Sequence, residues 1–289
     1  MKIIRKYRNR DYIIGIDLHG TLLDEQWEIK DALKHQLIKQ LNVVRQIAKV
    51  FVCSGNDITF IYKYIPEDIR SYFDGYILET GCVISDGTDE KIIIPKELTI
   101  VIKELEAKLK EINFKEVKYF GRRLITITMF TKDEYEGLDP AEFYPKALKV
   151  VKDLGFEDKV LVTHSNVAID IIPKGYNKFT GLKYLAGELK TIGIADSLND
   201  LDLIIDADYA FIPANASISL IKKLKSLGKK LVTIESKQNS PHPNLLPQRE
   251  KEIKFKVEDN DSLKGVVWQS KYNETKGVID ILQFINFWL

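Results

Sequence analysis

The chain has 289 residues, enough for one large α/β domain or for a domain carrying a substantial insertion. Its 43 Lys and Arg stand against 42 Asp and Glu, and the resulting charge of +1 excludes a basic field for holding nucleic acid and favours a small-molecule partner. Cys53 and Cys82 both lie in apolar stretches, a pattern of buried thiols in a reducing, cytoplasmic setting rather than of a disulfide framework or a zinc site.

Residues 1–10 are basic, and the apolar run after them is short and ends at a charge, so neither a signal peptide nor a membrane span is expected. That run, 12–16, reads as a strand. A helix over 28–48 follows, in which Ile29, Leu33, Leu37, Leu41 and Val44 recur at helical spacing and define a buried face. Next come a strand over 49–53, a helix that Asn56 or Asp57 caps and Pro66 ends, and a short strand over 75–79. Residues 83–165 break the pattern, with a charged helix over 99–112, strands near 117–120 and 124–130, a helix over 140–154 and a strand over 160–163. We read this segment as a smaller α+β domain inserted into a core made of residues 1–82 and 166–289. After a strand over 169–172, alternation resumes: helix 178–190, strand 191–195, helix 199–205, strand 209–212, helix 217–227 and strand 230–234. Such alternation predicts a mainly parallel sheet between helices, with right-handed crossovers bringing the strand ends to one edge. Residues 238–251, with Pro241, Pro243 and Pro247, read as an exposed loop without chemistry. The apolar residues 279–289 read as a final helix on the core.

Four stretches at predicted strand ends or helix starts carry polar residues suited to phosphate chemistry. Asp17 follows a buried run and opens Asp17-Leu18-His19-Gly20-Thr21, where a glycine permits close approach of backbone to a phosphate and a threonine adds a donor. A carboxylate there can attack phosphorus and split hydrolysis into two displacements. Ser54, Gly55 and Asn56 lead into a helix start, which makes an anion site or a simple cap. Lys178 opens a helix, where the dipole disfavours a cation unless an anion is near, although solvated lysines occupy such positions too. Asp196, Asn199 and Asp200 follow another strand; they either cap a helix or, with Asp17, gather oxygen ligands for a divalent ion such as Mg²⁺.

These four stretches resemble the motifs of the haloacid dehalogenase superfamily of phosphohydrolases. The insertion resembles the α/β cap of its Cof-type and sucrose-phosphatase-like branch, with Glu79-Thr80-Gly81 and 173–178 similar to the flanks of that cap. The resemblance implies an HAD-like Rossmannoid core. It implies that Asp17 is the nucleophile, and that Mg²⁺ is held by Asp17, the His19 carbonyl and Asp196 with help from Asp200. Ser54, Gly55, Asn56, Lys178, Thr21 and Asn199 would serve the phosphate, and Lys178 would also steady Asp17. Two positions depart from the family pattern: Ala195 replaces a glycine, and His19 replaces the aspartate that serves as acid and base. An imidazole has a pKa suited to that work, so His19 is expected to take it over. Within the insertion, Lys118, Arg122 and Arg123 either line the solvated face of a hairpin, as basic residues mostly do, or meet an anionic or hydroxyl-rich leaving group. The expected activity is a phosphatase acting on a small phosphorylated metabolite, most readily a sugar phosphate. A phosphomutase-like transferase and a noncatalytic phosphate-ester binder are the alternatives.

Overall fold

The computed structural model describes residues 10–132, 136–165, 167–234 and 265–288, and these divide into two compact units. The first takes residues up to 49 together with those from 188 onward; the second takes 50–187. The basic segment 1–9 and the proline-rich segment 238–251 lie outside the described residues.

The first unit opens with strand β1 (Tyr12–Asp17) and helix α1 (Asp31–Val44), and β2 (Ala48–Cys53) carries the chain into the second unit. There the order is α2 (Ile58–Tyr64), α3 (Glu67–Arg70), β3 (Gly75–Leu78), β4 (Val83–Ser85), β5 (Glu90–Ile92) and α4 (Lys96–Glu111). It continues with β6 (Tyr119–Phe120), β7 (Ile127–Phe130), α5 (Pro140–Asp153), β8 (Val160–His164), β9 (Ala168–Pro173) and α6 (Lys178–Ala186). The chain returns to the first unit as β10 (Lys190–Ile194), α7 (Leu201–Ile205), β11 (Tyr209–Ile212), α8 (Ile218–Ser226), β12 (Lys230–Thr233), β13 (Val266–Gln269) and α9 (Glu274–Trp288).

In the first unit the strands run β12-β13-β11-β10-β1, and every pairing among them is parallel. Strands buried on both faces need continuous apolar runs, and Ile13, Ile14 and Ile16 in β1 and Ile192 and Ile194 in β10 are fully buried. Helix α7 packs on β10 and β11, while α1 and α9 pack on each other, α1 burying Leu37, Leu41 and Val44 and α9 burying Val278, Ile281, Leu282 and Ile285. The α1 periodicity read from sequence therefore marks a real buried face. Expected and observed boundaries differ mostly by one to a few residues at each end. In this unit one strand has no counterpart in the sequence pattern: β13 inserts between β11 and β12, which sequence order alone would make neighbours. Helix α9 also begins at Glu274, five residues before the expected 279.

The second unit carries two sheets. In one, β2 and β3 are parallel and β4 and β5 continue antiparallel, forming a hairpin that the sequence does not signal. The other is antiparallel throughout, in the order β6-β7-β9-β8, so its β9 comes from residues after 165. Helix α5 packs on β8 and β9 and buries Phe143, Ala147 and Val151. Both cysteines are free and buried, and burial, then the nearby Glu79 charge, pushes the Cys82 thiol far up. No helix of the described residues is long and apolar enough to cross a membrane.

Close packing in the first unit rests partly on absent side chains. A Cβ at Gly193 in β10 would lie 2.0 Å from the carbonyl oxygen of Leu203 in α7, so helix and strand touch backbone to backbone. Gly193→Ala is expected to destabilise the protein by about 1–3 kcal/mol through overpacking, seen as a drop of several degrees in thermal midpoint, whereas Gly228→Ala, with open space around the added carbon, serves as a comparison limited to its own backbone strain.

Candidate active site

Asp17 is the last residue of β1 and is 3% exposed. After it the chain winds into a tight turn: the Leu22 N–H reaches the Asp17 and Leu18 carbonyls, the Leu23 N–H reaches Leu18, and the Gly20 N–H reaches Leu23. That turn folds Thr21 back on Asp17. The Thr21 hydroxyl, fully buried, lies 3.0 Å from Asp17 Oδ2 and 2.9 Å from Asp196 Oδ1 and donates its single hydrogen between them. Asp196 follows β10, which pairs directly with β1 in register from Tyr12 with Lys190 to Ile16 with Ile194. The sheet thus delivers two carboxylates, distant in sequence, to one hydroxyl.

Gly20 completes the arrangement. Its φ is +78°, and a Cβ there would lie 2.6 Å from Asp196 Oδ2, so both backbone conformation and space require glycine. The loop is tied from outside by residues that sequence reasoning missed. Asn215 donates from Nδ2 to the Gly20 carbonyl at 2.7 Å and accepts at Oδ1 from the Glu274 N–H, and the Thr275 hydroxyl donates to the Leu22 carbonyl. The Ser217 N–H donates to the Asp196 carbonyl at 2.8 Å. Only tertiary structure joins Asn215 and Thr275 to residues near position 20, and no local pattern marks them.

Asp200 is buried and accepts from the Ser197 hydroxyl at 3.1 Å, inside the short turn between β10 and α7. Asn199 is exposed on that turn. His19 is also exposed, and its ring meets Trp27 edge to face at 5.5 Å. Trp27 holds a left-handed φ of 64°, uncommon for a bulky residue. Among the described residues no three His, Cys, Asp or Glu side chains form a ready metal cage. What the first unit does bring together is an all-oxygen set: two carboxylates, a hydroxyl and a turn of backbone carbonyls. Paired carboxylates in a low-dielectric setting repel each other. A hard dication with oxygen ligands and retained waters offsets that repulsion, and Mg²⁺ fits such a set without a full side-chain cage.

The remaining expected residues belong to the second unit. Ser54, 2% exposed, follows β2; its hydroxyl oxygen accepts from the Asn56 N–H at 3.0 Å, which leaves its O–H as a donor. Gly55 is exposed, and a Cβ added there would meet only the Thr80 hydroxyl, at 3.5 Å. Asp57, not Asn56, caps α2 through the Phe60 N–H. Lys178 is half-buried at the first position of α6, behind a reciprocal cap in which Asn177 accepts from the Thr180 N–H and the Thr180 hydroxyl accepts from the Asn177 N–H.

Ser54 and Lys178 share a support in residues 79–81. The Glu79 and Thr80 N–H groups donate to the Asn56 and Ser54 carbonyls, and a Cβ on Gly81 would lie 1.8 Å from the Asn177 carbonyl oxygen. Glu79 and Thr80 both sit at positive φ, 47° and 56°. The Glu79 carboxylate is fully buried and accepts from the N–H groups of Leu124, Ile125 and Thr126 and from the Thr126 hydroxyl. Arg123, just before that run, donates to Asn56 Oδ1 at 2.9 Å and pairs with Asp57 at 3.4 Å, its side chain 8% exposed. Nearby, burial pushes the Asp170 carboxyl up against the pull of the Thr128 hydroxyl and the Arg123 charge. Arg122 is exposed, and Lys118, also exposed, donates to the Glu136 carbonyl at 2.6 Å. Of these three basic residues, then, Arg123 has its side chain buried in a polar network of its own unit.

A model of the haloacid dehalogenase-like hydrolase family matches residues 14–153 and 146–231. No curated protein matches the chain. Among solved structures, a haloacid dehalogenase-like hydrolase from Bacteroides thetaiotaomicron aligns over 96% of this chain and 100% of its own, with a TM-score of 0.59 and 14% identity. The sucrose-phosphatase from Synechocystis sp. PCC6803, solved with sucrose and phosphate, aligns over 96% of this chain and 99% of its own, with a TM-score of 0.58 and 14% identity. At such identities these likenesses speak to the fold, which agrees with the Cof-type and sucrose-phosphatase-like branch. The family match spans both halves of the parallel core and the segment between them, and the chain belongs to the haloacid dehalogenase-like hydrolases.

Proposed function

We propose that the protein is a Mg²⁺-dependent phosphatase that hydrolyses a small phosphomonoester, most readily a sugar phosphate, through an aspartyl phosphate on Asp17. The observation that carries this reading is the pair Asp17 and Asp196 held on the Thr21 hydroxyl, with Gly20 leaving no room for a side chain beside them. Asp17, Asp196 and the His19 carbonyl are assigned to hold the ion, with Asp200 assisting, and an ion held there would supply positive charge to neutralise the phosphoryl group. Ser54 and Lys178 are assigned to the phosphoryl oxygens, with Asn56 as a further donor. The segment 83–165 is assigned the role of a cap that selects the leaving group.

In the first step an Asp17 carboxylate oxygen attacks phosphorus, the ester P–O bond breaks, and the leaving oxygen takes a proton from the His19 imidazolium. In the second, neutral His19 accepts a proton from water as the water oxygen attacks the phosphorus of the acyl phosphate. Phosphate departs, and the Asp17 carboxylate and the His19 imidazolium are restored. The exposure of His19 supports this role, because an imidazole open to solvent can exchange its proton between turnovers. The Thr21 hydroxyl binds one oxygen of Asp17 and so orients the other for attack.

A screen of phosphorylated metabolites with Mg²⁺ tests the reading directly. Asp17→Asn is expected to lose phosphate release by about 10³-fold or more, and release at the wild-type rate by that variant would rule out the nucleophile. His19→Ala is expected to lower kcat by about 10²-fold or more on alkyl phosphates, whose leaving oxygen needs a proton, and far less on p-nitrophenyl phosphate, whose leaving group departs as the anion. Equal losses on both substrates would remove His19 from leaving-group protonation.

A further inference from the structure

Arg123, which the sequence leaves between a solvated hairpin face and a leaving group, has a buried side chain whose two terminal nitrogens meet residues of its own unit, while its buried Nε has no hydrogen-bond partner among the described residues. Nη2 donates to Asn56 Oδ1 at 2.9 Å, and Nη1 lies 3.4 Å from Asp57 Oδ2 and 3.3 Å from the Arg122 carbonyl. A guanidinium can only donate, so the Asn56 carboxamide must turn its oxygen toward Arg123 and its NH₂ end away. Among the described residues that NH₂ end has no acceptor. Asn56 also fixes Ser54, since its backbone N–H occupies a lone pair of the Ser54 hydroxyl at 3.0 Å and leaves the O–H as a donor. The Ser54–Asn56 loop thus carries two side-chain donors, the Ser54 O–H and the Asn56 NH₂ group.

We infer that Arg123 is a positioning residue, which sets the Asn56 carboxamide so that its NH₂ group, on the same loop as the Ser54 hydroxyl, is presented to a phosphate oxygen. Arg123 itself touches no substrate. The inference rests on the assignment of the Ser54–Asn56 loop to phosphate.

Glu79 makes the placement of Arg123 durable. Its buried carboxylate accepts from three consecutive backbone N–H groups, Leu124 at 2.6 Å, Ile125 at 2.9 Å and Thr126 at 2.8 Å, which fixes the chain immediately after Arg123. The same residue's N–H donates to the Asn56 carbonyl at 3.1 Å. One residue therefore holds the backbone of both partners in the Arg123–Asn56 hydrogen bond. Two consecutive non-glycine residues at positive φ, Glu79 and Thr80, are strained, and such strain persists only where surrounding contacts enforce it.

The test is a double-mutant cycle on the full chain with Mg²⁺, read two ways: inorganic phosphate binding by isothermal titration and KM against kcat for p-nitrophenyl phosphate. Arg123→Met and Asn56→Ala are each expected to weaken phosphate binding and raise KM about tenfold, the scale of one hydrogen bond to a charged group, with kcat changed less than KM. If Arg123 acts through Asn56, Arg123→Met adds less than about twofold in the Asn56→Ala background. Arg123→Lys, which keeps a donor of similar reach, is expected to recover binding to within about threefold, and it carries the comparison should the Met variant not fold. Losses that multiply in the double variant, or a Met variant with wild-type phosphate affinity, would overturn the inference while leaving the hydrolase reading intact. Conversely, a wild-type protein that binds phosphate and shows the coupling, but turns over no phosphomonoester, would sink the hydrolase reading and keep Arg123 as a positioning residue. A wild-type protein that neither binds phosphate nor turns over any ester would overturn both.

Discussion

A single hydroxyl hydrogen sits between two carboxylates at the edge of the parallel sheet, and much of the first unit is arranged around that fact. Thr21 reaches both Asp17 and Asp196 because the turn after β1 closes on itself and because β1 and β10 are direct neighbours. A hydroxyl stabilises one carboxylate well but has one hydrogen to give. Asn215, Thr275 and Ser217 hold the turn and the Asp196 backbone through main-chain carbonyls, so the backbone that carries both carboxylates is fixed from outside.

The sequence is most readable where chemistry coincides with a strand end. Asp17 and Asp196 each follow a run of buried aliphatic residues, and a polar residue directly after such a run must emerge at the sheet edge. Ser54 is legible for the same reason. What cannot be read is whatever depends on residues distant in the chain. Asn215 looks like any loop asparagine until its amide is seen bridging Gly20 and Glu274. Strand β13 has only four residues, and nothing in Val-Val-Trp-Gln says that it enters the sheet between β11 and β12. The hairpin of β4 and β5 escapes notice because its strands are three residues each, too short for alternation to register.

Glu79 is the sharpest case of a residue whose sequence context hides its work. It stands in a three-residue turn with a backbone conformation that its type rarely adopts, and propensity gives no reason for a carboxylate there. In the fold it acts as an acceptor for a row of amides, much as an anion does in a backbone nest, except that the anion is part of the chain. The second unit thereby gathers the Ser54 loop, the start of α6 and the segment after Arg123 onto one turn. Arg123 reads as a surface cation for a related reason: charge and a hairpin setting suggest solvent, while only the partners Asn56 and Asp57 make burial tolerable.

The pairing of α1 with α9 carries a consequence for biosynthesis. The second unit is one uninterrupted stretch and can complete its contacts as soon as residue 187 has emerged from the ribosome. The first unit is split, and Leu37, Leu41 and Val44 must wait for Val278, Ile281 and Ile285 from the far end of the polypeptide. Until then the α1 stripe lacks its α9 partner, so the half of the parallel core translated first is the half that is completed last.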